Sequence, residues 1–261
     1  MLEKLMEVLS LFNTSRRELG VGEIAELLNR PKSTVSGWLA AMESAGFLER
    51  DGPGGSYRLS IRLAVLGELA RRSTSLQRVA LPHLEQLARL TRETVSLNVL
   101  VGAEVVNAAA VESPRPVLQA SGVGIPMPIH VTAAGKVLLA WRSREEVLRL
   151  LPVRLERFTS HSIVDHQEFL HDLDRTRQRG YATAFGELAE DLFALSAPVL
   201  NHRGEVIAGI TVGAPVGRIP ADRVPGLAEQ VMRAAACVSA GMGYERDTTE
   251  GLREPLLAVV G

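Results

Sequence analysis

Residues 31–46, Pro-Lys-Ser-Thr-Val-Ser-Gly-Trp-Leu-Ala-Ala-Met-Glu-Ser-Ala-Gly, constrain this chain more than any other stretch. The segment reads as a short helix with a marked start and stop. Pro31 suits the first helical position, where a missing N–H costs nothing, and Gly46 suits the left-handed residue just past the end. Val35, Trp38, Leu39 and Met42 recur at helical spacing and form one apolar stripe. The other face carries Ser33, Ser36, Gly37 and Ala40, all small, with Lys32 near the start. A mid-helix glycine costs about 1 kcal/mol relative to alanine, so Gly37 asks for a neighbour that must come close. A DNA backbone is such a neighbour.

The flanking residues place this helix in a motif. Leu2–Phe12 carries a helical stripe, and Asn13–Gly20 reads as a polar connection. Arg16 and Arg17 within it read either as a solvated loop or as a phosphate contact. Gly22–Leu28 is a second short helix, and Asn29-Arg30 makes the turn into the helix of residues 31–46. Two short helices joined by three or four residues form a helix-turn-helix, whose second helix enters the major groove. Phe47–Arg50, then Asp-Gly-Pro-Gly-Gly, then Ser56–Ser60 predicts a hairpin, the wing of a winged helix. Ile61–Arg72 is an amphipathic helix ending in Arg71-Arg72-Ser-Thr-Ser, a polar cluster that marks a domain boundary.

A length of 261 residues suggests two domains, and 46% apolar residues suffice for full cores. The one cysteine, Cys237, excludes an internal disulfide, fits a reducing compartment and reads as a packing residue within a helix. Charges in Met-Leu-Glu-Lys-Leu-Met-Glu interrupt the apolar core a signal peptide needs, and no run approaches the roughly 20 residues of a membrane span. A soluble cytoplasmic protein is expected. The net charge of −1 makes no electrostatic case for nucleic acid. Residues 1–72 hold ten Lys/Arg against nine Asp/Glu, a net of +1. A few placed cations, doubled by a dimer, must then supply the basic footprint.

The remainder mixes strands and helices. Leu76–Thr91 is a helix with Pro82 in its early part, where it is expected to bend. Thr94–Val101 and Glu104–Val111 predict a hairpin about Gly102-Ala103, Val117–Ala120 a short strand, and Gly122–Pro128 a loop. Thr132–Trp141, Ser143–Leu151, Asp165–Arg179 and Pro220–Met242 read as helices. Phe193–Leu200 and Val206–Ala214 form a second hairpin. Hairpins with flanking helices indicate an α+β sheet domain.

No enzyme signature stands. His161, His166 and His171 are five apart, so neighbours do not share a helix face, whereas metal ligands on a helix want spacings of three or four. Gly135-Lys136 lacks the upstream glycine and downstream Ser/Thr of a phosphate loop. Glu187, Glu190 and Asp191 read as a solvated loop rim. No catalytic residue, metal or cofactor is expected.

Across almost its full length the chain resembles the IclR family of bacterial transcriptional regulators. The resemblance is carried by Gly22-Glu-Ile-Ala-Glu-Leu-Leu, Pro31-Lys-Ser-Thr-Val, Gly46-Phe-Leu-Glu-Arg, Tyr57-Arg-Leu-Ser and Leu81-Pro-His-Leu-Glu-Gln-Leu. It continues in Glu93-Thr-Val, Ile129-His-Val-Thr-Ala-Ala-Gly-Lys-Val-Leu-Leu-Ala, Gly180-Tyr-Ala, Ala197-Pro-Val and Ile207-Ala-Gly-Ile-Thr-Val. It implies a winged helix-turn-helix domain (1–60), a linker helix (61–75), a GAF-like effector-binding domain (76–245) and a C-terminal tail (246–261). It also implies homodimers, often paired into tetramers, on double-stranded operator DNA.

The family's effector positions match Ala133, Ala134, Ala184, Ala194, Thr211 and Gly213. Members that bind small carboxylates carry Asp, Cys and a Ser-x-Ser pair where this chain has Ala184, Ala194 and Thr211-Val-Gly213. The lost hydrogen-bond partners and side-chain volume predict a larger, more apolar pocket for an aromatic or otherwise bulky acid. Its carboxylate is expected at the helix start formed by Thr132, Ala133, Ala134 and Gly135. On the DNA side, Ser36 and Gly37 stand where family members usually have longer polar residues. Recognition is expected to lean on Arg30, Lys32, Ser33 and Thr34, on Ser56 and Arg58 in the wing, and on DNA shape. Three readings follow: an effector-responsive regulator, a sheet-domain enzyme that uses its N-terminal domain only to dimerise, and a ligand-binding scaffold that no longer reads DNA.

Overall fold

A computed structural model describes residues 2–12, 16–52, 55–73, 75–113 and 122–244. The chain divides into two compact units, Met1–Thr74 and Ser75–Gly261. The expected strand Val117–Ala120, the wing tip Pro53-Gly54 and the tail 246–261 lie outside the described residues.

The first unit runs α1 (Leu2–Leu9), β1 (Glu18–Leu19), α2 (Val21–Leu27), α3 (Lys32–Ser44), β2 (Leu48–Arg50), β3 (Tyr57–Leu59) and α4 (Ile61–Ser73). Its core gathers Val8, Ile24, Val35, Leu39, Met42, Leu48 and Tyr57. Asn29, at φ 51°, turns the chain left-handed between α2 and α3. Pro31 is the residue that caps α3 and not its first helical residue, one position off the expectation. Beyond α3, Gly46 has φ +79°, and a Cβ there would come within 2.5 Å of the Arg62 guanidinium. The left-handed conformation, rather than space, calls for glycine at that stop, because the guanidinium ends a flexible side chain that can move aside. The wing is larger than expected. Glu18–Leu19, read as part of a polar connection, pairs with Arg58 and Tyr57 and makes a three-stranded sheet ordered β1-β3-β2.

The second unit holds α5 (Ser75–Thr91), β4 (Thr94–Val101), β5 (Glu104–Val111), β6 (Pro126–Pro128), α6 (Ala133–Ala140), α7 (Arg144–Leu150), α8 (His166–Arg179), β7 (Ala182–Phe185), β8 (Leu192–Leu200), β9 (Val206–Pro215) and α9 (Val224–Gly241). The strands form one antiparallel sheet ordered β6-β5-β4-β9-β8-β7. Strands β6 and β7 are additions to the expected set, and β6 lies in the stretch read as a loop. Helix α5 is continuous through Pro82. Helix α9 starts at Val224, after a 3-10 turn at Ala221–Arg223, and not at Pro220.

Strand alternation divides the sheet between two cores. Val95, Leu97, Leu195, Ile210 and Val212 pack with Leu84, Leu87, Val231 and Val238 of α5 and α9. Their neighbours Thr94, Ser96, Asn98, Ala194, Thr211 and Gly213 point to the other face, where they line a pocket closed by the start of α6. Helices α6, α7 and α8 form the second core there through Leu138, Leu139, Val147, Phe169 and Leu173. Cys237 is exposed on α9 and does not pack in the core as expected.

Candidate effector pocket and nucleic-acid interface

The pocket is built at the start of α6. Thr132 caps the helix, its Oγ1 accepting the Gly135 N–H at 3.1 Å. Ala133 and Ala134 therefore begin the helix with backbone N–H groups that have no partner within it. Helix polarity adds a partial positive charge at this end. Across the cavity stand the edges of β4, β5, β8 and β9. The cavity between them is about 80 Å³ and opens to solvent at its mouth.

Seven of the eight expected effector residues line it: Thr132, Ala133, Ala134, Ala184, Ala194, Thr211 and Gly213. Gly135 does not. Its N–H is taken by the cap, and a Cβ there would sit 1.9 Å from the Ile129 carbonyl oxygen, so close packing of the preceding turn requires glycine. Gly213 is different, because nothing lies within 4 Å of where its Cβ would be. Its missing side chain leaves room in the cavity.

Ala133 and Ala134 on α6 and Ala184 and Ala194 on β7 and β8 make part of the pocket apolar, but the β4 and β5 part of the sheet wall is polar. Thr94, Ser96 and Asn98 on β4 and Asn107 on β5 line it. A bulge between Leu97 and Asn98 shifts the register so that Asn98 lies opposite Asn107. The extra residue, Ala108, thereby turns Asn107 toward the cavity. Ser96 Oγ donates to Asn98 Oδ1 at 3.1 Å, and Asn98 Nδ2 donates to Asn107 Oδ1. The sequence signal for these residues is Thr-x-Ser-x-Asn in Thr94–Asn98. That alternation ordinarily marks a solvated face, and here the face is covered by α6.

One turn into α6, Lys136 is 1% exposed. Its Nζ lies 2.8 Å from Asp172 Oδ2 on α8 and 2.6 Å from Glu187 Oε1 in the loop after β7. Glu187 is thus buried and ion-paired, which corrects its reading as a solvated rim. Glu190 and Asp191 are exposed. Burial pushes the Glu187 carboxyl above its ordinary value, and the Lys136 ammonium only partly offsets this. Burial acts on Asp172 in the same direction, but Lys136 and Arg175 outweigh it and hold that carboxyl below its ordinary value. Thr159 and Ser162 anchor the same loop, donating to the carbonyls of Gly186 at 2.5 Å and Glu187 at 2.7 Å. Since Leu188 lines the pocket, this loop forms part of its wall. Among the described residues no group of three or more His, Cys, Asp or Glu could hold a metal.

In the first unit, Ser33, Thr34, Ser36, Gly37 and Ala40 lie exposed on α3, with Arg30 and Lys32 exposed at its start. No heavy atom comes within 4 Å of a Cβ built on Gly37, so nothing in the unit explains that glycine. Arg16 and Arg17 are exposed before β1. The expected wing residues are already engaged. Ser56 Oγ donates to Glu18 Oε2 at 2.9 Å, and Arg58 pairs with Glu49 at 3.2 Å.

Sequence comparison gives this geometry its setting. The family model of the bacterial transcriptional regulator IclR C-terminal domain matches residues 69–240, and that of the IclR helix-turn-helix domain matches residues 1–52. The chain belongs to the IclR family. Its members are transcriptional regulators that bind DNA and small-molecule effectors, and this chain carries both domains. The HTH-type transcriptional regulator KdgR of Dickeya chrysanthemi is 36% identical over 229 residues, covering 87% of this chain and 75% of that protein. XynR of Escherichia coli (strain K12) is 29% identical over 243 residues, 93% and 96% of the two chains. An IclR homologue from Microbacterium hydrocarbonoxydans, crystallised with 4-hydroxybenzoate, superposes with a TM-score of 0.77 at 29% identity, covering 92% of this chain and 98% of that one. A regulator from Silicibacter sp. TM1040 matches with a TM-score of 0.83 at 23% identity over 94% and 96% of the chains, showing the shared IclR fold. As an IclR-family member the protein is a regulator and not an enzyme. No helix among the described residues is long and apolar enough to cross a membrane.

Proposed function

We propose that this protein is a cytoplasmic one-component regulator that binds operator DNA as a homodimer, or as a tetramer of paired dimers. An aromatic or otherwise bulky organic acid is its effector, and a catabolic operon for such an acid is its target. The observation that carries this reading is the pocket at the start of α6. A helix N-terminus suits a carboxylate, while Ala184, Ala194 and Gly213 leave width for a ring. The structural relative holding 4-hydroxybenzoate supports the same ligand class. For DNA, the small exposed face of α3 supports close approach to the duplex. Arg16, Arg17, Arg30 and Lys32 are the proposed phosphate contacts, with Ser33, Thr34 and Ser36 beside them. Arg58 must exchange Glu49 for a phosphate if it contributes, and Ser56 must leave Glu18.

Fluorescence anisotropy with the protein's own upstream promoter fragment tests the proposal. Binding is expected at low ionic strength, falling steeply with salt as counterions compete, and shifting when benzoate-type acids are added. Indifference to the fragment with and without those acids overturns it.

A further inference from the structure

The polar wall of the pocket has a defined hydrogen-bonding sense. A hydroxyl has one hydrogen to give and two lone pairs. Ser96 gives its hydrogen to Asn98 Oδ1. Thr211 Oγ1 gives its own to the buried Ser196 Oγ at 2.9 Å. Both hydrogens are spent inside the protein, so what these two side chains offer the cavity is lone pairs. Ser96 and Thr211 are register partners on β4 and β9, and both line the pocket. Cβ atoms of directly opposed residues lie about 5 Å apart, close enough for one ligand hydrogen to address both oxygens. Two residues along from Thr211 on the same face, Gly213 leaves open space beside the pair.

We infer that Ser96 and Thr211 form a paired acceptor that selects effector acids bearing a hydroxyl or amino donor at the end remote from the carboxylate. This rests on the reading that the pocket holds an organic acid. The pair also orients the ligand, because two acceptors repel a carboxylate and the unpaired N–H groups at Ala133 and Ala134 attract it. An ether or unsubstituted ring edge at the sheet wall offers no hydrogen and leaves the cavity-facing lone pairs of both oxygens without a donor, which costs affinity.

The test is calorimetric titration of the intact oligomer with benzoate, 4-methoxybenzoate, 3-hydroxybenzoate and 4-hydroxybenzoate. At least one hydroxybenzoate is expected to bind about tenfold more tightly than the other two acids, the scale of one buried hydrogen bond. In Ser96→Ala/Thr211→Val that ratio is expected to fall to near one. The wild-type comparison of hydroxy with methoxy needs no variant, so it stands even if the double variant fails to fold. Equal affinity across the four acids, or a preference that survives the double substitution, overturns the paired acceptor and leaves the aromatic-acid reading standing. A parallel pair, gluconate and hexanoate, separates the two claims. Selective binding of gluconate with no binding of the benzoates supports the paired acceptor and removes the aromatic ring from the proposed function. No binding in either series overturns both.

Discussion

Lys136 holds together the charge cluster buried between α6, α8 and the loop after β7. It neutralises two carboxylates that sit, like itself, out of water. Removing one partner of a buried charge set costs about 3–5 kcal/mol, chiefly by stranding the rest. Lys136→Met leaves Asp172 and Glu187 facing each other, so urea denaturation at neutral pH is expected to show a loss of that size. A loss under about 1 kcal/mol, the scale of an exposed pair, means the triad is better solvated than its burial indicates. Glu187 also sets a pH dependence. Its folded value is raised above 4.5, so the folded state holds that proton more tightly than the unfolded chain. Its contribution to stability is therefore greatest below pH 4.5 and declines as pH rises through the folded value. Asp172 has the opposite sign: lowered from 3.8, it contributes fully above that pH and loses its contribution as pH falls through the folded value. Calorimetric melting from pH 4.5 to 8 is thus expected to show wild type losing stability relative to Glu187→Gln as pH rises; the reverse slope contradicts the assignment. None of the triad is legible as such in the sequence. Lys136 follows Gly135 in a failed phosphate-loop pattern, Asp172 sits among the polar residues of α8, and Glu187 shares a loop with two exposed acids. Pairing across three elements leaves no mark in local sequence. The pocket alanines are legible only through the family resemblance, since an alanine carries no chemistry of its own.

Elements with their own punctuation are readable. Gly46 and Gly180 stop α3 and α8 in the left-handed conformation, and the β4 and β5 bounds follow from alternation interrupted by Gly102. Strands β1, β6 and β7 are two to four residues long, too short to establish a period. Their pairing is set by partners distant in sequence, such as Arg58 for Glu18. Helix α3 yields a two-part prediction. Gly37 is exposed mid-helix, with open space where a Cβ would stand, so Gly37→Ala is expected to stabilise the fold by up to about 1 kcal/mol. A bulky side chain at the same position, as in Gly37→Phe, is expected to abolish operator binding with the melting temperature little changed. Undiminished binding by that variant in a gel shift contradicts the close approach of α3 to DNA. Glu49 is the element-level counterpart of Lys136. It accepts from Arg58, Ser60 and the Ile61 N–H, so the wing holds the start of α4. Those hydrogen bonds, the Ile61 N–H first, keep its carboxyl below the ordinary value.

At the scale of the whole molecule, a regulator requires that its two units share one equilibrium. Helix α4 exposes Ile61 (70%), Val65 (56%), Leu66 (56%) and Leu69 (58%), a stripe suited to a second copy of the chain. If α4 pairs in the proposed dimer, Leu66→Glu/Leu69→Glu is expected to yield monomers by light scattering and to weaken operator binding. A variant that remains dimeric places the contact elsewhere. Coupling itself has a sharper requirement, because binding free energies are reciprocal. Suppose a saturating acid changes the operator dissociation constant by some factor, for which about 5–150-fold is typical. Saturating operator must then change the acid's dissociation constant in the same direction, and the operator factor must equal the product of the factors at the pockets of the oligomer, the square of the per-pocket factor for two equivalent pockets in the proposed dimer. Anisotropy measures the first and calorimetry the second, on the same protein preparation at one salt concentration. The square relation is expected for a dimer with two pockets, and the fourth power for a tetramer with four. A departure from that relation means that the acid sensed by the DNA-bound form occupies something besides the pocket at α6, and a factor of one in both directions leaves the pocket a receptacle with no regulatory consequence.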